Sequence, residues 1–254
     1  MTQAVLETEG LSVRFGGHVA VDNVTSTFHA GELTAIVGPN GAGKTTYFNL
    51  ISGQIPASSG RVKLLGEDIT RNSVADRCHK GLGRAFQLTN LFPDLTVQEN
   101  VRLVVQAHRN RGFSLFSMAD THIDLMTGAM AVLERVRLDT LKDKKVSELS
   151  HGNQRKLEVA MLIALDPRVY MFDEPTAGMS ADEAPVVLDL IAELKSERDR
   201  TILLVEHKMD VIRTLADRII VLHNGALAAD GDPVQVMASD VVQEAYMGRE
   251  LEDV

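Results

Sequence analysis

Gly38-Pro39-Asn40-Gly41-Ala42-Gly43-Lys44-Thr45-Thr46 stands between an apolar run, Leu33-Thr34-Ala35-Ile36-Val37, and a helix-forming stretch, Tyr47-Phe48-Asn49-Leu50-Ile51. The run reads as a buried strand and the stretch as a helix, stopped at Gly53 in the manner of a C-terminal glycine cap. Every fixed position of Gly-x-x-x-x-Gly-Lys-Ser/Thr is filled, from Gly38 to Thr45, with strand and helix on the sides the chemistry needs. Glycines let backbone N–H groups close around phosphate oxygens with no Cβ in the way. The helix N-terminus adds partial positive charge. Lys44 can reach the β- and γ-phosphates of a nucleotide, and the Thr45 hydroxyl can ligate Mg²⁺. A glycine-rich turn that binds nothing would need none of this order.

Composition sets the outer bounds. The chain has 254 residues, enough for one large domain or a domain with a lobe. No apolar run approaches the roughly 18–20 residues of a membrane-spanning helix. Met1-Thr2-Gln3-Ala4 leads straight into a strand-like pattern, so no signal peptide is expected. Cys78 is the single cysteine, which excludes an internal disulfide and fits a reducing cytoplasm. A net charge of −9 argues against broad nucleic-acid binding.

Upstream of the glycine-rich loop, Val5 to Phe28 alternates apolar and polar residues, as short β-strands with turns at Gly16-Gly17 and Ala30-Gly31 would. Phe15, just before the first turn, has two readings: a core or edge aromatic, which spacing alone favours, or a platform for a purine ring. Downstream, Arg61–Leu65 and Gly81–Gln87 read as strands. Then the period changes. Thr96-x-x-Glu99 is a capping box opening a helix through Val97, Val101, Val104 and Val105, and Arg109-Asn110-Arg111-Gly112 breaks it. Ile123, Met126, Met130, Leu133 and Val136 recur at helical spacing. We therefore expect a helical lobe at 90–165 inserted into an α/β core made of 1–89 and 166–254.

Three further groups carry candidate chemistry. Ser150 precedes a long apolar helix through Leu157–Leu165; it is either a simple N-cap or part of a helix N-terminus that faces a phosphate. Val169–Phe172 is a buried strand ending in Asp173 and Glu174. An acid pair there faces the ligand crevice of an α/β sheet. With the glycine-rich loop present, Asp173 suits Mg²⁺ and Glu174 suits proton abstraction from an attacking water. His207 follows the strand Thr201–Val205 at the same sheet edge, where a lone histidine is either structural or part of the site. Ser180-x-x-Glu183 is a second capping box, starting a helix that Pro185 bends or delays.

In this order the motifs resemble those of the nucleotide-binding subunit of ABC transporters, over almost the whole chain. The resemblance implies an α/β P-loop ATPase with a mixed sheet, an N-terminal antiparallel β subdomain and the helical insert. It implies that Gln87 is the glutamine that senses Mg²⁺ and nucleotide and lies beside the membrane partner. It makes Leu149-Ser150-His151-Gly152-Asn153-Gln154 a signature motif whose Ser150 and Gly152 contact the γ-phosphate held by a second subunit. It gives His207 the role of switch histidine and Phe15 that of the aromatic stacked on adenine, against the reading from spacing. Two departures stand out: His151 and Asn153 replace the usual glycine and glutamine, and Ser180 stands where an aspartate is frequent. Arg14-Phe15-Gly16-Gly17, Leu91-Phe92-Pro93, Glu206-His207 and Ala245-Tyr246-Met247-Gly248 resemble the branched-chain amino acid and urea/amide uptake group.

The implied cofactors are ATP and Mg²⁺. The implied partners are a second ATPase subunit, the same or a related chain, a transmembrane permease and, indirectly, a periplasmic solute-binding protein, with no nucleic acid. The implied place is the cytoplasmic face of the cell membrane. A soluble ATPase of DNA repair or translation, or a nucleotide-dependent regulator, is the competing reading. The first usually carries a coiled-coil insert or two cassettes, and neither is visible in this chain. The second would have no need of Lys44, Asp173, Glu174 and His207 together.

Overall fold

The structure is a computed structural model that describes residues 3–85, 91–108, 118–197 and 199–239, with side chains of 118–122 left aside. Two compact units divide them. The first comprises Met1–Leu82, Arg168–Glu174 and Lys195–Val254; the second comprises Gly83–Pro167 and Pro175–Leu194. The second thus takes in a stretch after Glu174 that the sequence pattern assigns to the core.

The first unit holds two sheets. One is antiparallel, in the order β2 (His18–His29), β1 (Ala4–Phe15), β4 (Ser59–Leu64), β5 (Glu67–Asp68). The sequence leads one to expect short strands here. Instead β1 and β2 are 12 residues each, paired along their length with register shifts that bend the ribbon. The other sheet runs β10 (Ala226–Gly231), β9 (Arg218–His223), β3 (Leu33–Val37), β8 (Thr201–Val205), β7 (Val169–Asp173), and its last strand, β6 (Leu82–Ala85), carries the chain out of the unit. β3 is parallel to both β8 and β9, and β7 to β8; β10 turns back antiparallel on β9. Every residue of β3, β7 and β8 is buried, as continuous apolar runs in a parallel sheet require. The sequence pattern carries the sixth strand to Gln87; its described part ends at Ala85, and Gln87 lies outside the described residues.

Helix α1 (Lys44–Ser52) leaves β3 through the glycine-rich loop and ends at Gly53 with φ 79°. Tyr47, Phe48, Leu50 and Ile51 on it are buried against Val13, Val21, Val62, Val169 and Met171. Each such fully buried side chain contributes about 1.5–3 kcal/mol. α2 (Val74–His79) brings Arg77, only 3 % exposed, to the far end of α1. Its guanidinium donates to the Leu50 and Ile51 carbonyls at the end of α1, the first of which also accepts from the Gly53 N–H, and to those of Thr70 and Asn72. Burial works against the charge and lowers its pKa. Arg218 makes a second tie: it forms a bidentate pair with Asp230 at 2.6 Å and also reaches Ser26 and Thr27 on β2. α7 (Met209–Leu215) and α8 (Pro233–Met237) complete the described part of this unit, α8 capped by Asp232.

The second unit is helical, with no ladder strand wholly within it among the described residues. α3 (Val97–His108), α4 (Met118–Arg135) and α5 (His151–Leu165) pack on one another in all three pairings. Thr96 caps α3 by accepting from the Glu99 N–H. Asn100, fully buried, donates to the Phe92 and Thr96 carbonyls and accepts from the Phe92 N–H, so a polar core group is satisfied by the loop it fixes. On α4 the buried face is Leu125, Ala129 and Leu133, followed by Val136; Ile123 is exposed, contrary to the expected stripe. It lies two residues before Leu125, about 200° round the helix. Ser180 and Glu183 do make reciprocal capping bonds, but α6 (Ala184–Ser196) starts only at Ala184, so Pro185 falls in its first turn, where proline is tolerated, and introduces no later bend. The breaker Arg109–Gly112 and the tail Ala245–Gly248 lie outside the described residues.

Candidate functional site

Lys44 is the first residue of α1 and is 6 % exposed. Its ammonium is folded over the loop that precedes it, donating to the carbonyls of Gly38 at 2.6 Å and Pro39 at 2.9 Å. Two of its glycines have no room for a side chain. Gly38 has φ 149°, and a Cβ there would lie 2.1 Å from the Leu222 carbonyl oxygen; Gly43 has φ 95°, and a Cβ would lie 2.5 Å from that of Ala20. The loop is also stitched from outside: Gly225 donates to the Ala42 carbonyl at 3.1 Å, and Asp22 donates to the Gly225 carbonyl at 2.8 Å. The backbone cradle is therefore built before any ligand arrives.

Strand register brings the acids and the histidine to this loop. Asp173, the last residue of β7, is paired with Val205, the last of β8. One residue on, Glu174 turns into the left-handed region at φ 50°, with its N–H held by the Val205 carbonyl at 2.9 Å. Two residues beyond Val205 stands His207, whose Nε2 is 2.8 Å from Glu174 Oε1. Glu206, buried between them in sequence, accepts from the N–H groups of His207 at 2.8 Å and Lys208 at 3.2 Å, which fixes the turn that presents the imidazole. A non-glycine residue in this backbone region is strained, and such strain concentrates where a side chain has to be aimed.

These parts enclose a cavity of about 420 Å³ in the first unit. Asn40 through Thr46 form its floor, Glu174 and His207 one wall, and Phe15, His18 and Ala20 another. Of the residues singled out from sequence, Phe15, Asn40, Gly41, Ala42, Gly43, Lys44, Thr45, Thr46, Glu174 and His207 meet here. Gly38 and Pro39 stand behind the floor as acceptors of the Lys44 ammonium. Asp173 is buried at the strand end beneath Glu174. Ser150 and Gly152 belong to the second unit, where they open α5, and Gln87 lies outside the described residues. Phe15, the last residue of β1, is 53 % exposed and on the cavity wall, so of the core or edge aromatic that spacing favours it is not the core one. His18 escapes notice in the sequence. The signal for it is the two-residue Gly16-Gly17 turn, which sets His18 directly across from Phe15.

Residues 21–177 match the model of the family described as ABC transporter. The chain belongs to the ABC transporter family. Among curated ABC proteins it is 36% identical, over 98% of its own length and 99% of the other's, to the high-affinity branched-chain amino acid transport ATP-binding protein BraF of Pseudomonas aeruginosa. It is 35% identical, over 98% and 99% of the two chains, to LivG of Escherichia coli, which bears the same description. Among solved ABC cassettes, it resembles a nucleotide-free one with a TM-score of 0.81 and 31% identity, covering 96% of this chain and 98% of that one. It also resembles the ADP conformation of an ABC transporter cassette, with a TM-score of 0.81 and 30% identity over 97% and 100%. The ABC cassette fold is thus the fold described above, with its mixed sheet and antiparallel ribbon.

Proposed function

We propose that this chain is the ATP-binding and ATP-hydrolysing subunit of an ABC importer, and that the solute is a branched-chain amino acid. The observation that supports hydrolysis is the Glu174–His207 pair on the wall of a cavity floored by a P-loop. The solute comes from the relatives matched end to end; urea or a short amide is the second reading, favoured by the Ser150-His151-Gly152 variant.

In this reading, ATP lies with its base against Phe15 and its phosphates on the amides of Asn40–Thr46. Lys44 leaves the Gly38 and Pro39 carbonyls to meet the β- and γ-phosphates. Glu174 accepts a proton from the attacking water, and His207 orients both carboxylate and γ-phosphate. The Thr45 hydroxyl and the Asp173 carboxylate are the oxygen donors suited to Mg²⁺, which needs one or two such ligands beside phosphates. Mg²⁺ would supply charge neutralisation on the phosphates; Gln87 is a third candidate ligand. A second ATPase subunit, identical or related, presents Ser150 and Gly152 at its own α5 N-terminus to the γ-phosphate, so the P-loop is half of a site. Among the described residues no helix is long and apolar enough to cross a membrane. In this reading a permease supplies the solute path and holds this subunit at the inner face of the cell membrane. A periplasmic binding protein delivers the solute.

Reconstitution with the cognate permease and binding protein tests this. Leucine, isoleucine or valine should stimulate ATP hydrolysis. Stimulation by urea or amides alone would move the solute assignment, and hydrolysis indifferent to any permease would support the regulator or soluble-ATPase class instead.

A further inference from the structure

We infer that Glu183 is a positioning residue for the signature serine, holding the α5 N-terminus closed to phosphate until a nucleotide displaces it. Ser150 Oγ accepts from the Asn153 N–H at 3.3 Å and donates to Glu183 Oε1 at 3.4 Å. The same carboxylate lies over Gly152: a Cβ built there would be 2.0 Å from Glu183 Oε2. Oε2 is anchored on the other side by the Ser180 hydroxyl at 3.1 Å and the Ser180 N–H at 3.4 Å. An anion therefore already sits at the opening of a 15-residue helix, against the two signature residues expected to receive the γ-phosphate.

A carboxylate and a phosphate cannot share that place. Both are negative, and at contact distance their repulsion opposes dimer closure. Glu183 has to swing away from Ser150 and Gly152, keeping only its bonds to Ser180. The carboxylate thus orders the serine hydroxyl in the separate subunit and raises the nucleotide concentration at which two subunits close. This inference rests on the two-subunit site proposed above.

Glu183→Gln is the discriminating variant, because glutamine keeps one oxygen for the capping box with Ser180, removes the negative charge and puts an amide N–H in place of the other carboxylate oxygen. Full-length protein is titrated with a non-hydrolysable ATP analogue and Mg²⁺, and dimer formation is followed by light scattering. The variant should reach half-dimerisation at roughly tenfold lower analogue, a gap that narrows as salt screens the repulsion. Its melting temperature and the analogue affinity of the monomer should match the wild type. In steady state the KM for ATP should fall while kcat holds. An unchanged midpoint in a wild type that does dimerise overturns the inference and leaves Glu183 as a cap of α6. A wild type that hydrolyses ATP but never dimerises overturns the two-subunit reading, and this inference with it.

Discussion

His207 Nε2 and Glu174 Oε1 are 2.8 Å apart, each side chain about two-fifths exposed on the wall of the nucleotide cavity. The contact takes up Oε1 and leaves the other carboxylate oxygen for an attacking water in the proposed mechanism.

Glu174→Gln should therefore lower ATP turnover roughly 10²-fold or more, the usual scale for losing a general base, with nucleotide affinity retained. His207→Ala should also slow turnover. Because the residues act through one another, the double variant should be little worse than the poorer single one. Phosphate-release kinetics and a nucleotide titration on all three proteins check this. Additive losses would mean that the hydrogen bond has no part in catalysis.

Phe15 makes a separate prediction. An aromatic 53 % exposed contributes little to folding, so Phe15→Ala should melt close to the wild type. Its ATP affinity should fall roughly 3- to 10-fold, the scale of one aromatic stacking contact, and Phe15→Tyr should restore it. Unaltered affinity in the alanine variant would take adenine stacking away from this residue.

Arg77→Ala should act on stability alone. It takes a donor from four backbone carbonyls, two of them at the buried end of the P-loop helix, where Leu50 alone keeps another donor, the Gly53 N–H. Each buried acceptor left without a partner costs about 1–3 kcal/mol. A net loss of about 3 kcal/mol would lower the melting temperature by roughly 6–12 °C for a chain of this size. Arg77→Lys should recover only part of it, since an ammonium cannot reproduce the planar fork. Calorimetry on the ligand-free protein is the measurement.

The contrast between these residues shows what a sequence exposes and what it hides. The P-loop is readable because its chemistry is local: strand, glycines, lysine and helix follow one another within a few turns of chain. Glu174 and His207 are readable as strand-end residues, and the shared register of β7 and β8 is what makes that inference hold. Phe15 is ambiguous by periodicity because an alternating strand has the same pattern whether its last residue faces core or cavity. Arg77 and Glu183 are illegible for another reason. One looks like a charged residue on a short helix, the other like an ordinary cap. Their partners, Leu50 and Ile51 for one and Ser150 and Gly152 for the other, are set by tertiary packing alone. Ile123 misleads because apolar residues on a helix need not all lie on its buried side.

The stitching of the P-loop has a consequence for how this protein is made. β3 lies between β8 and β9, its Leu33 donates to the Asp217 carboxylate and accepts from the Asp217 N–H, and Ala42 is tied down by Gly225. All of these neighbours are encoded near the other end of the described chain. Nonlocal pairings of this kind form late, after the loop between them has closed. During synthesis the phosphate cradle leaves the ribosome early and stays unfinished until the segment around Gly225 has followed it. A chain cut short before that point carries the whole P-loop motif without the Gly225 contacts that hold the cradle in shape, so the sequence that names the site and the segment that fixes it reach the folding chain at different times.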